Sequence, residues 1–138
     1  MAATSIPGIE VIQAAAASAG IDISATITKA QQIMAADPAT MRAGSTQLRT
    51  VASGLDTTGQ DVQRTGTQLL ATWTGSSATA FAPAHADVVN QLGTHQQNAS
   101  QLAGSLDSAA SGFESCQHVV VTATGIAATA IGAAQATP

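Results

Sequence analysis

From Met41 onward, apolar residues return every seven positions: Met41, Leu48, Leu55, Val62 and Leu69. A seven-residue apolar column held over several repeats predicts a helix face that meets another helix, because 3.6 residues per turn brings each member back to nearly the same side. The column three positions further on, Gly44, Val51, Thr58, Thr65 and Thr72, is small and only partly apolar. Small residues there let a second backbone come close. Asp37-Pro38 opens this helix, with Asp suited to cap the free amides and Pro to the first helical position. Its end is expected near Trp73, where Thr72-Trp73-Thr74-Gly75-Ser76-Ser77 reads as a turn. Gly75 can take a positive φ, and Ser76 or Ser77 can cap the next helix.

A second pattern starts directly after the turn. Phe81, Val88, His95, Leu102, Ala109 and Cys116 form one seven-spaced column. His85, Leu92, Ala99, Leu106, Phe113 and Val120 form another, alternating with the first at steps of four and three. This is a second long helical face, weakened by Gly93, Gly104 and Gly112, since a glycine inside a helix costs up to about 1 kcal/mol. Pro83 marks either a kink or a helix start. Two such helices joined by a tight turn lie antiparallel, seam to seam. The expected helix seam and dimer packing therefore comprise Met41, Leu48, Val51, Leu55, Val62 and Leu69 with Phe81, Val88, Leu92, Leu102, Leu106, Phe113 and Val120. Both seams are narrow and Ala-rich, so the hairpin leaves apolar surface uncovered. A second hairpin completing a four-helix bundle is the expected remedy.

The chain thus divides into three segments: an N-terminal extension over residues 1–36, the hairpin over 37–120, and a tail over 121–138. In the first, Ile9, Ile12, Ala16, Ala19, Ile23, Ile27, Ala30 and Met34 fit a helical stripe with a weak point at Gly20. Ile21 to Thr28 also alternates like a strand, but a lone strand has no pairing partner, and helix is favoured. The tail is a frayed helix extension or disordered. The fold class is all-α.

Composition narrows the function. Of 138 residues 45% are hydrophobic but only 2% aromatic, and much of the apolar content is Ala, so a monomer has a thin core that favours a partner. Charged residues are 9%, far below the roughly 25% of an average domain; Ser, Thr, Gln and Asn supply the polar surface instead. With a net charge of -4 and four scattered bases, Lys29, Arg42, Arg49 and Arg64, the chain offers no footprint for nucleic acid and a poor anchor for anionic membranes. One cysteine, Cys116, excludes an intrachain disulfide, and its place on the second helix's column reads as a small hydrophobe. His85, His95 and His118 are not spaced one turn apart, no phosphate loop or acid-base pair has usable spacing, and no cofactor, metal site or catalytic residue is expected. Residues Met1 to Gly20 lack a basic n-region and carry Glu10, so no cleaved signal peptide is expected. Val119 to Ala134 is uncharged but diluted by Thr, Gly and Ala.

A helix opening with Asp-Pro, then Leu-Leu-Ala-Thr-Trp-Thr-Gly-Ser-Ser-Ala-Thr-Ala-Phe, then an Ala-rich second helix resembles the Trp-x-Gly, ESAT-like hairpin proteins, substrates of type VII secretion in mycobacteria and related bacteria. The likeness covers residues 37–120. It implies a leaderless protein exported folded as a homodimer or as a heterodimer with another Trp-x-Gly hairpin, recognised by the export ATPase and working at the cell surface or beyond. It gives Trp73 and Gly75 the role of a signature turn that contacts the export machinery or partner. Members of this family commonly carry Tyr-x-x-x-Asp/Glu near the end of the second helix; here Phe113 and Gln117 stand at those positions. The resemblance then implies that a partner chain supplies the signal. The alternative reading is a membrane-active helical protein, resting on Val119 to Ala134 and the small-residue faces.

Overall fold

The computed structural model describes residues 5–137. The protein is all-α: among the described residues there are four helices, α1 (Ile9–Ser18), α2 (Ser24–Ala35), α3 (Pro38–Thr72) and α4 (Ser76–Gln135), and no strand. They divide into two compact units, one of residues Ala39–Ser108 and one combining Met1–Pro38 with Ala109–Pro138.

The Ala39–Ser108 unit is a helical hairpin. Contacts between its helices run in opposite directions along the chain. A methyl group at Gly44 would lie 3.5 Å from the Leu106 side chain, and one at Gly59 would lie 3.7 Å from Leu92. On α3 the residues pressed against the sibling helix are Ser45, Ala52, Gly59 and Gly66: the first two and Gly66 are buried, Gly59 half-buried. They form a seven-spaced column four positions after Met41, Leu48, Leu55 and Val62, which are themselves half-buried. The partner on α4 pairs Ala78, His85, Leu92, Ala99 and Leu106 with Ala82, Val89, Gln96 and Ala103; Ala78 and Ala103 are fully enclosed and the others half-buried. The contact inside the hairpin is therefore made of Ser, Ala and Gly on one side and mixed small and medium residues on the other.

That register relocates part of the expected seam. Val51 on α3 and Val88 and Leu102 on α4 do not lie in the contact between the two helices, and of the Val51 column Gly44 alone is placed against α4. Val51 is 53% exposed, Leu102 54%, Val88 47% and Leu69 44%. In a repeat of alternating threes and fours, columns at i+3 and i+4 both flank the central one. Backbone approach selects the smaller column for the sibling helix and leaves the other open.

The turn is short. Trp73 N–H still bonds to Leu69 O at 2.9 Å, extending the helical pattern by one residue. Gly75 then takes φ 106°, a conformation a side chain resists. α4 begins at Ser76, so Gly75 occupies the capping position expected of a serine, and its carbonyl accepts both the N–H and the hydroxyl of Thr79 at 3.1 Å. Pro83 lies inside α4, in its second turn.

In the other unit, α1 ends in a paired-bond cap. Gly20, at φ 71°, donates to Ala17 O, and Ile21 N–H reaches back to Ala16 O at 2.9 Å. The Asp22 carboxylate accepts Ser24 N–H at 2.9 Å at the start of α2; bonds from the Ser24 hydroxyl and N–H hold it below the usual carboxylate range. Of the strand-like alternation at Ile21 to Thr28, only Ile21, Asp22 and Ile23 lie outside a helix, since α2 begins at Ser24. α2 stops at Ala35, Ala36 is extended, and Pro38 opens α3. Ile6 and Ile27 are buried in this unit, as are Ala110 and Thr124 on α4, and Ile27 lines a groove together with Val120 and Thr124. α4 continues to Gln135.

Enlarging the α3 contact column should loosen the hairpin. Ala52→Leu is expected to cost about 1–3 kcal/mol by overpacking, seen as a lower urea midpoint with an unchanged slope. Val51→Ser, on the open side, should change the stability of the isolated chain by less than about 0.5 kcal/mol.

Candidate functional site

Beside the turn, three rings stack in sequence. Trp73 and Phe81 have centroids 5.5 Å apart at a 53° tilt, and Phe81 and His85 lie 5.5 Å apart at 29°. Positions 81 and 85 are one helical turn apart, so their rings fall on the same face of α4. Trp73 reaches them from just past the end of α3 and stays 36% exposed at the apex.

His85 ties this stack to α3. Its Nε2–H donates to the carbonyl of Val62 at 2.7 Å, which assigns the proton to Nε2, since a carbonyl only accepts. Val62 O is a helix-interior carbonyl whose ordinary partner is the N–H of residue 66. Residue 66 is glycine, and a β-carbon there would overlap the His85 ring. Gly66 thus opens one carbonyl of α3 to a second donor and lets the imidazole lie on bare backbone. Next to it, Val62, Thr65, Gly66, Leu69, Phe81 and His85, with Asp61 at the rim, line a largely apolar groove of about 310 Å³.

From this groove an apolar strip continues along the hairpin. Val51, Leu69, Val88 and Leu102 are exposed, and Met41, Leu48, Leu55, Val62, Phe81, Leu92 and Leu106 are half-buried behind them. Of these, Leu92 and Leu106 also touch α3 at Gly59 and Gly44, and the others lie beside that contact. Arg49, on the neighbouring column, pairs with Asp107 across the hairpin. Arg64 pairs with Asp61 within α3 at 2.6 Å. Along both helices threonine hydroxyls bond to the carbonyl four residues back, as at Thr46, Thr50, Thr57, Thr67 and Thr94. The polar surface is therefore largely satisfied by its own backbone.

Phe113 and Gln117 sit in the other unit, where both are half-buried. The Gln117 amide donates to Ile33 O at 3.1 Å and Ala36 O at 2.9 Å, closing the carbonyl end of α2. The sequence pattern left this role invisible, because the partners are 81 and 84 residues away. Cys116, read from its column as a small hydrophobe in the seam, is exposed. Val120 lines an apolar groove between α4 and the α1–α2 pair. Among the described residues no three His, Cys, Asp or Glu side chains converge where they could hold a metal ion.

The family model WXG100, described as proteins of 100 residues with WXG, matches residues 32–116, more than half of the chain. The matched span contains the turn, the ring stack and the apolar strip. Comparison with curated proteins and with solved structures finds no match.

The fit of His85 on Gly66 predicts a specific coupling. Gly66→Ala gains up to about 1 kcal/mol of helix propensity, but the clash should outweigh it and lower stability by about 1–3 kcal/mol. His85→Ala loses one hydrogen bond and its packing. In the double variant the clash is gone, so a thermodynamic cycle by urea unfolding should show the two losses to be strongly non-additive.

Proposed function

The chain belongs to the WXG100 family, and from that premise we propose that it is a non-enzymatic type VII secretion substrate that works by pairing with a second Trp-x-Gly hairpin. In this reading residues 37–120 are the pairing hairpin, and residues 1–36 and 121–138 are additions to it. The observation that carries the proposal is the exposure of four large apolar residues on the hairpin, Val51, Leu69, Val88 and Leu102. A thin Ala- and Gly-rich contact buries little area, and covering the strip supplies what the single chain lacks. The partner is another copy or a related hairpin, and the product is a four-helix bundle.

Export is proposed to proceed in the folded state, without a cleaved leader, through the secretion ATPase, and to deliver the protein to the cell surface or beyond. Trp73 and Gly75 mark the end of the bundle that the machinery or partner reads, as an exposed indole on a rigid stack is suited to do. Phe113 and Gln117 replace the aromatic hydroxyl and the acid of the usual signal. The Gln117 amide is also engaged with α2, which supports supply of the signal by the partner chain.

Two measurements test this. Val51→Asp with Leu102→Asp should leave the isolated chain helical by circular dichroism yet abolish its association in light scattering with its partner or with itself, and retained association would remove the strip from the interface. Trp73→Ala should keep helicity within a few per cent of wild type and stop secretion into the medium; unimpaired secretion would reduce the indole to a structural plug.

A further inference from the structure

Three helices of the unit formed by Met1–Pro38 and Ala109–Pro138 meet around a groove of about 310 Å³. The start of α1 lies on α4, for a methyl group at Gly8 would come 2.8 Å from Ala128 Cβ. Beyond that contact the space between the helices is unfilled, walled by Ile9 and Ile12 of α1, Ile23 and Ile27 of α2, and Val120 and Ala123 of α4. Ile27 and Thr124, both buried, form its deepest part. No charged side chain lines it. The buried hydroxyl of Thr124 is already bonded to Val120 O at 2.7 Å. A group that fills this space is therefore aliphatic, because a polar one would give up water without gaining a partner.

The mouth has a different chemistry. Thr26 lines the groove and is exposed. Lys29 follows it by three residues, which makes the two side chains neighbours on the surface of α2. Lys29 is exposed and, among the described residues, stands in no ion pair, whereas Arg49 and Arg64 are both paired. The acids of this unit are occupied or turned elsewhere. The Asp22 carboxylate accepts Ser24 N–H, and Asp37 and Glu114 have partners of their own. Glu10 lies about 100° round α1 from Ile9 and farther from Ile12.

We propose that this groove binds the hydrocarbon chain of a free medium-chain fatty acid, with the carboxylate at the mouth against Lys29 and Thr26. Size and charge select that ligand. The lining of α2 runs from Ile23 to Ala30, about 10 Å of helix. The volume stands at the lower end of the roughly 300–1,000 Å³ of small-molecule sites. One turn of a partner helix, 5.4 Å long and about 10 Å across, would need about 420 Å³, more than the whole groove. A single short chain fits, and the unpaired ammonium favours a carboxylate over an uncharged or cationic head. The site is separate from hairpin pairing, since all of its lining belongs to the other unit.

The test titrates the full chain with octanoate, below its micelle concentration, by isothermal calorimetry. One molecule should bind per chain. Hexanoate should bind about fifteenfold more weakly, at about fourfold per buried methylene. Lys29→Met should weaken octanoate about two- to fivefold, the scale of an exposed ion pair, and leave octanol unchanged. Ala123→Phe, at an exposed lining position, should fill the groove and abolish binding while helicity by circular dichroism stays intact. Ala30→Phe plugs the same space from α2 and serves where the first variant fails to fold. Absence of saturable binding overturns the site, as does undiminished binding in a folded groove-filling variant. A Lys29→Met chain that binds octanoate undiminished, or octylamine bound as tightly as octanoate, overturns the carboxylate assignment.

Discussion

Everything in the hairpin depends on how closely two helix backbones can approach along Ser45, Ala52, Gly59 and Gly66. Large side chains at those positions would hold the axes apart, at the wider end of the 8–10 Å range set by contact residues. With Ser, Ala and Gly there, α4 lies on the backbone of α3, and at Gly66 the contact becomes literal. An imidazole rests where a β-carbon would be and bonds a carbonyl that already serves its own helix. Dispersion over such a surface is weak per atom but continuous, and little side-chain entropy is lost in forming it.

The same choice decides where the larger apolar residues go. Because the contact uses the small column, Met41, Leu48, Leu55 and Val62 are left at its edge, half in and half out, and Val51 and Leu69 lie open. A monomeric domain would place its valines and leucines in the contact and its alanines at the rim. On α3 the order is inverted, while α4 contributes Leu92, Leu106 and Val89 to the contact, and the α3 side gives physical content to the idea that pairing is part of this fold. The thin charge supports it. At 9% charged residues, with threonine hydroxyls returned to their own helices, the surface loses little hydration when a partner covers it. An ordinary charged helix face would oppose the same burial.

Much of this was legible in the sequence, and the misplaced part has a definite cause. The column of Met41 to Leu69, the opening at Asp37-Pro38 and the turn at Trp73 to Gly75 all follow from periodicity and cap chemistry, which are local. Which flanking column meets the sibling helix is not local. The columns starting at Gly44 and at Ser45 sit equally well beside Met41, and hydrophobicity favours the one with Val51. Size points the other way, to Ser45, Ala52, Gly59 and Gly66, and size governs when backbones are in contact. Gly59 and Gly66, two of the four glycines of α3 and seven apart in one column with Ser45 and Ala52, were the available sign. Gln117 lay beyond such reading altogether, for its amide means nothing until α2 is folded back beside it. Cys116 shows the limit from the opposite side: a faultless column position, yet an exposed thiol.

The family match ends at residue 116, one position before Gln117 and close to the boundary of the second unit. A hairpin of this family therefore accounts for the turn, the ring stack and the apolar strip, but not for α1, most of α2, or α4 beyond Cys116. Those parts hold together by different means. The hairpin relies on small residues and a histidine on bare backbone, whereas the added unit buries Ile6 and Ile27, caps α1 through Gly20 and joins α2 to α4 through the Gln117 amide, among other contacts. An α4 that serves both units must satisfy two unlike sets of contacts along one helix, and its column 82, 89, 96, 103, 110, 117, 124 shows how. Ala103 and Ala110 stay fully buried, one in each unit, and each unit also takes polar members of the column, Gln96 in the hairpin and Gln117 and Thr124 beside α1 and α2, where Gln117 binds two carbonyls. The periodicity of the helix therefore runs unbroken through the point where the family pattern stops, and what changes there is the element that covers it: α3 before, α1 and α2 after.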